Sequence, residues 1–105
     1  MTKYFFVAAS EKFLTVEEPI EEILKERMRN YKENNKKIDF WILKNPSFLQ
    51  TTQFSDLKAK IPSTPAVVLS TDKKFITFLK LRLEFVAVGE FESPSAEIKD
   101  PFKVE

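Results

Sequence analysis

The longest ordered pattern in the chain runs from Ser70 to Glu92. Stepping ~100° per residue from Phe75, the apolar residues Phe75, Ile76, Phe78, Leu79, Leu81, Leu83, Phe85 and Val86 fill one broad arc, and Lys73, Thr77, Lys80 and Glu84 fill the opposite one. This predicts a helix with Thr71 as its N-cap, Asp72 in its first turn at the positive end of the macrodipole, and Gly89 as its C-terminal cap. A strand over Leu83 to Val88 explains fewer residues, because period 2 sets Glu84 beside Val86 and Val88. Arg82 is out of place, at roughly 340° on the wheel among Phe75, Phe78, Leu79 and Val86. Its guanidinium keeps its proton, so it must snorkel to water, pair with a carboxylate or lie beneath a partner.

Upstream, Tyr4 to Ala8 is a continuous apolar run that reads as a buried strand. Thr15-Val16-Glu17-Glu18 has the form of a capping box, with Pro19 just inside a helix ending near Asn34-Asn35. Ile20, Ile23, Leu24, Arg27, Met28 and Tyr31 share one face of that helix. Ile38 to Leu43 reads as a second strand, in which Asp39 is a carboxylate inside an apolar run, two residues before Trp41. Asn45-Pro46 closes it as a turn, Ser47 to Ile61 is loop with one or two helical turns around Ser55 to Lys60, and Pro65 opens a third strand, Ala66 to Ser70.

Strand, helix, strand, short helix, strand, helix, with apolar rather than alternating strands, predicts a sheet covered on both faces. The expectation is an α/β fold: a small three-layer helix/sheet/helix sandwich with three or four strands, parallel or mixed, with an α+β fold on an antiparallel sheet as the alternative. Residues 1–92 are expected to form one globular domain. Residues 93–105, polar and punctuated by proline, read as a loosely ordered tail onto which Ile98 or Phe102 is tacked.

Composition narrows the chemistry. The 17 Lys and Arg stand against 16 Asp and Glu, so no global field attracts nucleic acid or an anionic membrane. With no histidine and no cysteine, the chain cannot build a thiolate nucleophile, a Ser-His-Asp triad, a Cys/His zinc site or the Glu-x-x-His pairs of a di-iron bundle. Glu17, Glu18, Glu21 and Glu22 read as the solvated start of a helix, and Ser70 to Lys74 lacks the glycine loop of a phosphate site. Eleven phenylalanines are many for 105 residues, and some are expected on a surface that another molecule covers. Asp39 and Arg82 remain the most informative pair. They either neutralise one another inside the fold or, with Phe40 and Trp41, supply directional contacts to a partner.

The stretches EEPIEEILKERMRNYKENNKKIDFW, STDKKFITFLKLRLEF and VGEFESP resemble the small protein family of cyanobacteria and chloroplasts that accompanies the aerobic magnesium-protoporphyrin IX monomethyl ester oxidative cyclase. The resemblance runs from Tyr4 to about Pro94 and leaves the tail uncovered. It implies a non-catalytic role in chlorophyll synthesis, with no cofactor of its own, in which the chain binds the di-iron cyclase subunit and supports its accumulation or assembly. It also implies that Asp39, Phe40 and Arg82 contact that partner, with Trp41 as an additional patch. By the same resemblance the protein is expected in the cyanobacterial cytoplasm, held peripherally at the thylakoid through its partner. A tetrapyrrole carrier or sensor that stacks a porphyrin on the surplus aromatics is the alternative.

Overall fold

A computed structural model describes residues 1–18 and 20–105; the expected place of Pro19 inside the first helix lies outside the described residues. Strand β1 (Thr2–Ser10) leads through a π-helical turn at Phe13–Glu17 into helix α1 (Glu21–Glu33), and β2 (Phe40–Lys44) follows. Two 3-10 turns, Ser47–Gln50 and Thr52–Phe54, run into the short helix α2 (Ser55–Ala59). Then come β3 (Pro65–Ser70), α3 (Lys73–Leu83) and β4 (Ala87–Ser93).

The strands lie in the order β2-β3-β1-β4, and each neighbouring pair is antiparallel. The crossovers β1-α1-β2 and β3-α3-β4 therefore each return parallel to their own start but skip one position, which an antiparallel strand fills. This is the βαββαβ split arrangement of ferredoxin-like folds. The parallel or mixed α/β sandwich is thus corrected to an α+β fold on an antiparallel sheet. Continuous apolar strands report only that both faces of a strand are covered, and here the two central strands are apolar for that reason. Phe6 to Ala9 of β1 and all of β3 are buried, whereas the edge strands β2 and β4 are exposed at alternate or near-alternate positions.

One face of the sheet carries α1 and α3, which bury Leu14, Ile20, Tyr31, Phe75, Ile76 and Leu79 against Val7, Val68 and Phe40. The other face has an aromatic core. Phe6, Phe48, Phe54 and Phe91 all lie within 6.2 Å of one another, ring centroid to centroid, the closest pair being Phe48 and Phe91 at 4.6 Å. Such pairs contribute roughly 0.5–1.5 kcal/mol each beyond the area they bury.

The segment expected to be a loose tail closes that second face. Ile98 is 2% exposed, and its carbonyl accepts a hydrogen bond from the Ser93 hydroxyl at 2.7 Å. Ser47 N–H donates to the Lys103 carbonyl at 2.8 Å, and Glu105 N–H donates to the Asn45 carbonyl at 2.9 Å.

Local chemistry at the helix ends also differs from the sequence reading. The N-cap of α3 is Asp72, not Thr71: its Oδ1 accepts from Lys74 N–H at 3.0 Å and Phe75 N–H at 3.4 Å. The Thr15 hydroxyl donates back to the Glu11 carbonyl at 2.7 Å rather than capping α1. Helix α3 stops at Leu83 because Glu84 takes a positive φ of 60°, outside any helical continuation. Gly89 caps nothing; it lies in β4, where a Cβ would come within 2.5 Å of Phe6 Cζ.

That close approach yields a stability prediction. Phe6 is fully buried among other rings and cannot swing aside, so Gly89→Ala is expected to cost about 1–3 kcal/mol as an overpacking substitution. Thermal denaturation checks it, and an unchanged melting temperature would contradict the packing described.

Candidate functional site

Asp39 stands just before β2, whose first two residues, Phe40 and Trp41, point to opposite faces of the sheet. Asp39 is half-buried. Its carbonyl accepts from the Ser70 hydroxyl at 2.8 Å and from Thr71 N–H at 3.1 Å, tying the start of β2 to the β3–α3 junction. Its carboxylate Oδ1 accepts from the Tyr31 hydroxyl at 2.7 Å. Phe40, expected to face a partner, is only 3% exposed; its ring lies edge-on to Tyr31 at 5.4 Å and to Phe75 at 5.7 Å. Trp41 turns to the opposite face and packs edge-on against Phe102 at 4.7 Å.

The charge that the interior does hold is Arg27, on the apolar face of α1. Its guanidinium carbon lies 3.8 Å from the centre of the Phe75 ring, 5.0 Å from that of Tyr31 and 5.5 Å from that of Phe40. Its Nη2 donates to Asp72 Oδ2 at 2.9 Å. Asp72 therefore divides its two oxygens, one capping α3 and the other holding α1. Arg27 Nε is buried with no hydrogen-bond partner among the described residues, which fits a planar cation laid against a ring face. Sequence reasoning placed Arg27 on the buried face of its helix without asking how its charge is met. The test applied to Arg82, a cation inside an apolar arc, would have found it.

Asp39 and Arg82 do not meet. Asp39 adjoins Thr71, and Arg82 lies eleven residues further along, about 16 Å away at the helical rise. Arg82 is exposed and makes no ion pair among the described residues. The apolar arc of α3 is wider than the sheet beneath it. Phe75, Ile76, Leu79 and Leu83 are buried, while Phe78, Leu81 and Phe85 stand 49%, 75% and 82% exposed around Arg82.

Most of the phenylalanines are used in packing. Phe6, Phe40, Phe48, Phe54, Phe75 and Phe91 are buried and Phe5 and Phe13 are half-buried, leaving only Phe78, Phe85 and Phe102 exposed. None of the described helices is long and apolar enough to cross a membrane.

Comparison with known proteins is consistent across sequence and structure. The family model described as Ycf54 protein matches residues 2–93. A Ycf54-like protein of Synechocystis sp. is 52% identical over 101 residues, covering 96% of this chain and 76% of the relative. The chloroplastic YCF54 protein of Arabidopsis thaliana is 37% identical over 97 residues, covering 91% of this chain and 45% of that protein. Among solved structures, the All0216 protein of Nostoc sp. superposes with a TM-score of 0.95 at 51% identity, covering 98% of this chain and 95% of its own. The Ycf54 protein of Synechocystis sp. superposes at 0.93 with 49% identity, covering 99% and 97%.

Two predictions follow from the Arg27 and Tyr31 contacts. Arg27→Ala is expected to lower stability by about 2 kcal/mol through loss of the stacked cation and its charge-assisted hydrogen bond, and Arg27→Lys to recover only part of it, because an ammonium cannot lie flat on Phe75. Denaturant unfolding of the two variants would show this; full recovery by lysine would remove the stacking argument.

The second concerns alkaline pH. Burial first, then the hydrogen bond to Asp39, raise the Tyr31 phenol above its ordinary value of 10.0. The folded state thus holds this proton more tightly than the unfolded state. The associated stability is complete below the unfolded value and is lost as pH rises through the raised folded value. In a Tyr4→Phe background, phenolate absorbance should report the raised transition. Asp39→Asn should bring it down part of the way, since burial remains.

Proposed function

The chain belongs to the Ycf54 family of cyanobacteria and chloroplasts, and we propose that it serves chlorophyll synthesis as a non-catalytic accessory factor. In this reading it docks on the di-iron magnesium-protoporphyrin IX monomethyl ester oxidative cyclase subunit and supports that subunit's accumulation or assembly, peripherally to the membrane that holds the cyclase. The observation that carries the reading is Arg82, a guanidinium displayed on the outer side of α3 between exposed apolar side chains and unclaimed by any carboxylate among the described residues. An arginine among apolar and aromatic groups is the composition that interface hot spots favour. With neither histidine nor cysteine in the chain, oxygen-activating iron belongs to the partner.

The three residues implied by the resemblance take different roles. Arg82 touches the partner directly. Asp39, half-buried at the head of β2, offers its carboxylate edge from a fixed position. Phe40 acts from beneath, holding Tyr31, Arg27 and Phe75 in the arrangement that presents Asp39. A porphyrin carrier fits less well, because most of the aromatics are engaged in the two cores, leaving Phe78, Phe85 and Phe102 exposed.

Arg82→Ala is therefore expected to reduce co-purification with the cyclase subunit while stability changes by less than about 0.5 kcal/mol, as for an exposed side chain. Phe40→Ala should weaken binding only together with a loss of about 3–5 kcal/mol, the usual cost of emptying a buried aromatic site. Pull-down from a photosynthetic cell extract paired with thermal melts separates the two effects. Undiminished cyclase recovery with Arg82→Ala would refute the contact.

A further inference from the structure

The solvent side of α3 combines cations with large apolar groups. Its outward positions, Lys73, Lys74, Thr77, Phe78, Leu81 and Arg82, followed by Phe85 just past the helix end, comprise three cations, three large apolar groups and no carboxylate. Asp72 at its head is already engaged by Arg27, and the next acid, Glu84, lies beyond the last helical residue. Phe78, Leu81 and Arg82 stand at positions i, i+3 and i+4, the spacing of anchors on a helix received by a groove, and exposed Phe85 follows just past the helix end.

Neither flank continues this cationic face. On α1, which covers the same sheet face, the exposed side carries Glu21, Glu22, Glu26 and Glu33 against Lys25, Arg29 and Lys32, with Arg29 paired to Glu26 and Glu33. On the other flank Glu90 and Glu92 of β4 lie opposite Phe5 and Lys3, and Glu90 pairs with Lys3 at 2.7 Å. Three kinds of surface are thereby unequal as occupants. A second copy of this chain would set cations on cations. A flat anionic bilayer would meet the flanks together with the ridge, and their surplus of acids would offset part of its attraction to Lys and Arg, worth about 1 kcal/mol each. A narrow groove meets the ridge alone.

We propose that α3 inserts as a ridge into an apolar groove, rimmed with carboxylates, on a protein partner. Lys73, Lys74 and Arg82 pair with the rim, and Phe78, Leu81 and Phe85 fill the groove. Resting on the functional reading above, the groove belongs to the cyclase subunit. The ridge gives that contact a geometry and extends it from one arginine to a face of the helix.

The test uses tagged full-length chain in extracts of a photosynthetic cell, with cyclase recovery as the readout. The double variants Leu81→Ser/Phe85→Ser and Lys73→Glu/Lys74→Glu should each lower recovery at least about tenfold with unchanged melting temperatures. Lys25→Glu/Arg29→Glu on the exposed side of α1 should leave it intact. Wild-type recovery should also fall with ionic strength, and less steeply in the lysine variant. Wild-type recovery that survives both ridge variants overturns the ridge and leaves the functional reading standing. A wild type that brings down no cyclase overturns that reading and the named partner with it. Sedimentation of the purified wild type with phosphatidylglycerol vesicles, lost in the ridge variants, would assign the face to lipid and overturn the protein groove.

Discussion

Two strands with no face left for water set the terms of this structure. Phe6 to Ala9 and Pro65 to Ser70 are covered above and below, so each side of the sheet has to be roofed by other parts of the chain. On one side two helices do so, in the ordinary manner of split βαβ units. On the other no long helix exists, and the roof is assembled from the 3-10 turns around Phe48 and Phe54, from Phe91 and from the returning tail with Ile98. The aromatic load follows from this, because large rings fill a gap that a regular helix would have closed with smaller side chains. Gly89 belongs to the same constraint, since Phe6 occupies the space that any β-carbon there would need.

The electrostatics follow from how the helices sit on that sheet. Placing Phe75, Ile76, Leu79 and Leu83 downward brings the first turn of α3 beside α1, where Arg27 lies flat on Phe75 and bridges to Asp72. One carboxylate then satisfies a helix N-terminus and a partly buried cation at once, and the α1–α3 junction is held by a directional contact as well as by packing. Because the interior demand for an arginine is met there, Arg82 has no internal task. The same rotation that buries Leu79 turns Leu81, Arg82 and Phe78 outward.

Much of this could be read in the sequence, and the failures are instructive. All three strands read from the sequence, both long helices and the terminus near Asn34 follow from local periodicity, which is a property of neighbouring residues. Strand direction is not: an apolar run such as Ala66 to Ser70 records that both its faces are covered, whatever way its neighbours run. A fourth strand near Glu90 to Glu92 is an option in the sequence, but its start at Ala87 is masked because the apolar arc of the helix continues through Phe85 and Val86, and only the positive φ of Glu84 breaks it. The wheel identified the apolar arc correctly but could not say how much of it the sheet would cover. A helix on a sheet buries a stripe, and eight apolar positions were more than that stripe needed. The pairing of Asp39 with Arg82 failed for a related reason: two misfits in separate elements invite a match, yet Tyr31 and Arg27, both on the α1 face already recognised as buried, were the nearer partners of Asp39 and Asp72.

The proposed docking role accords with how the polar groups of the chain are used. A catalytic site needs polar groups that converge in a concavity and still have bonding capacity to spend on a substrate. Here the half-buried polar groups are largely engaged: Asp39 through Oδ1 to Tyr31 and through its carbonyl to Ser70 and Thr71, with Oδ2 left as the edge it presents; Asp72 to Arg27 and the α3 N-terminus. The exposed side of α3 holds Arg82, unpaired among the described residues, amid apolar groups, where an exposed aromatic is a cost unless something covers it. Every residue that keeps α3 in place, from Phe75 beneath to Arg27 beside it, therefore also fixes the angle at which Phe78, Leu81, Arg82 and Phe85 are held out. Rigidity of that kind lowers the entropy lost when a partner closes over them.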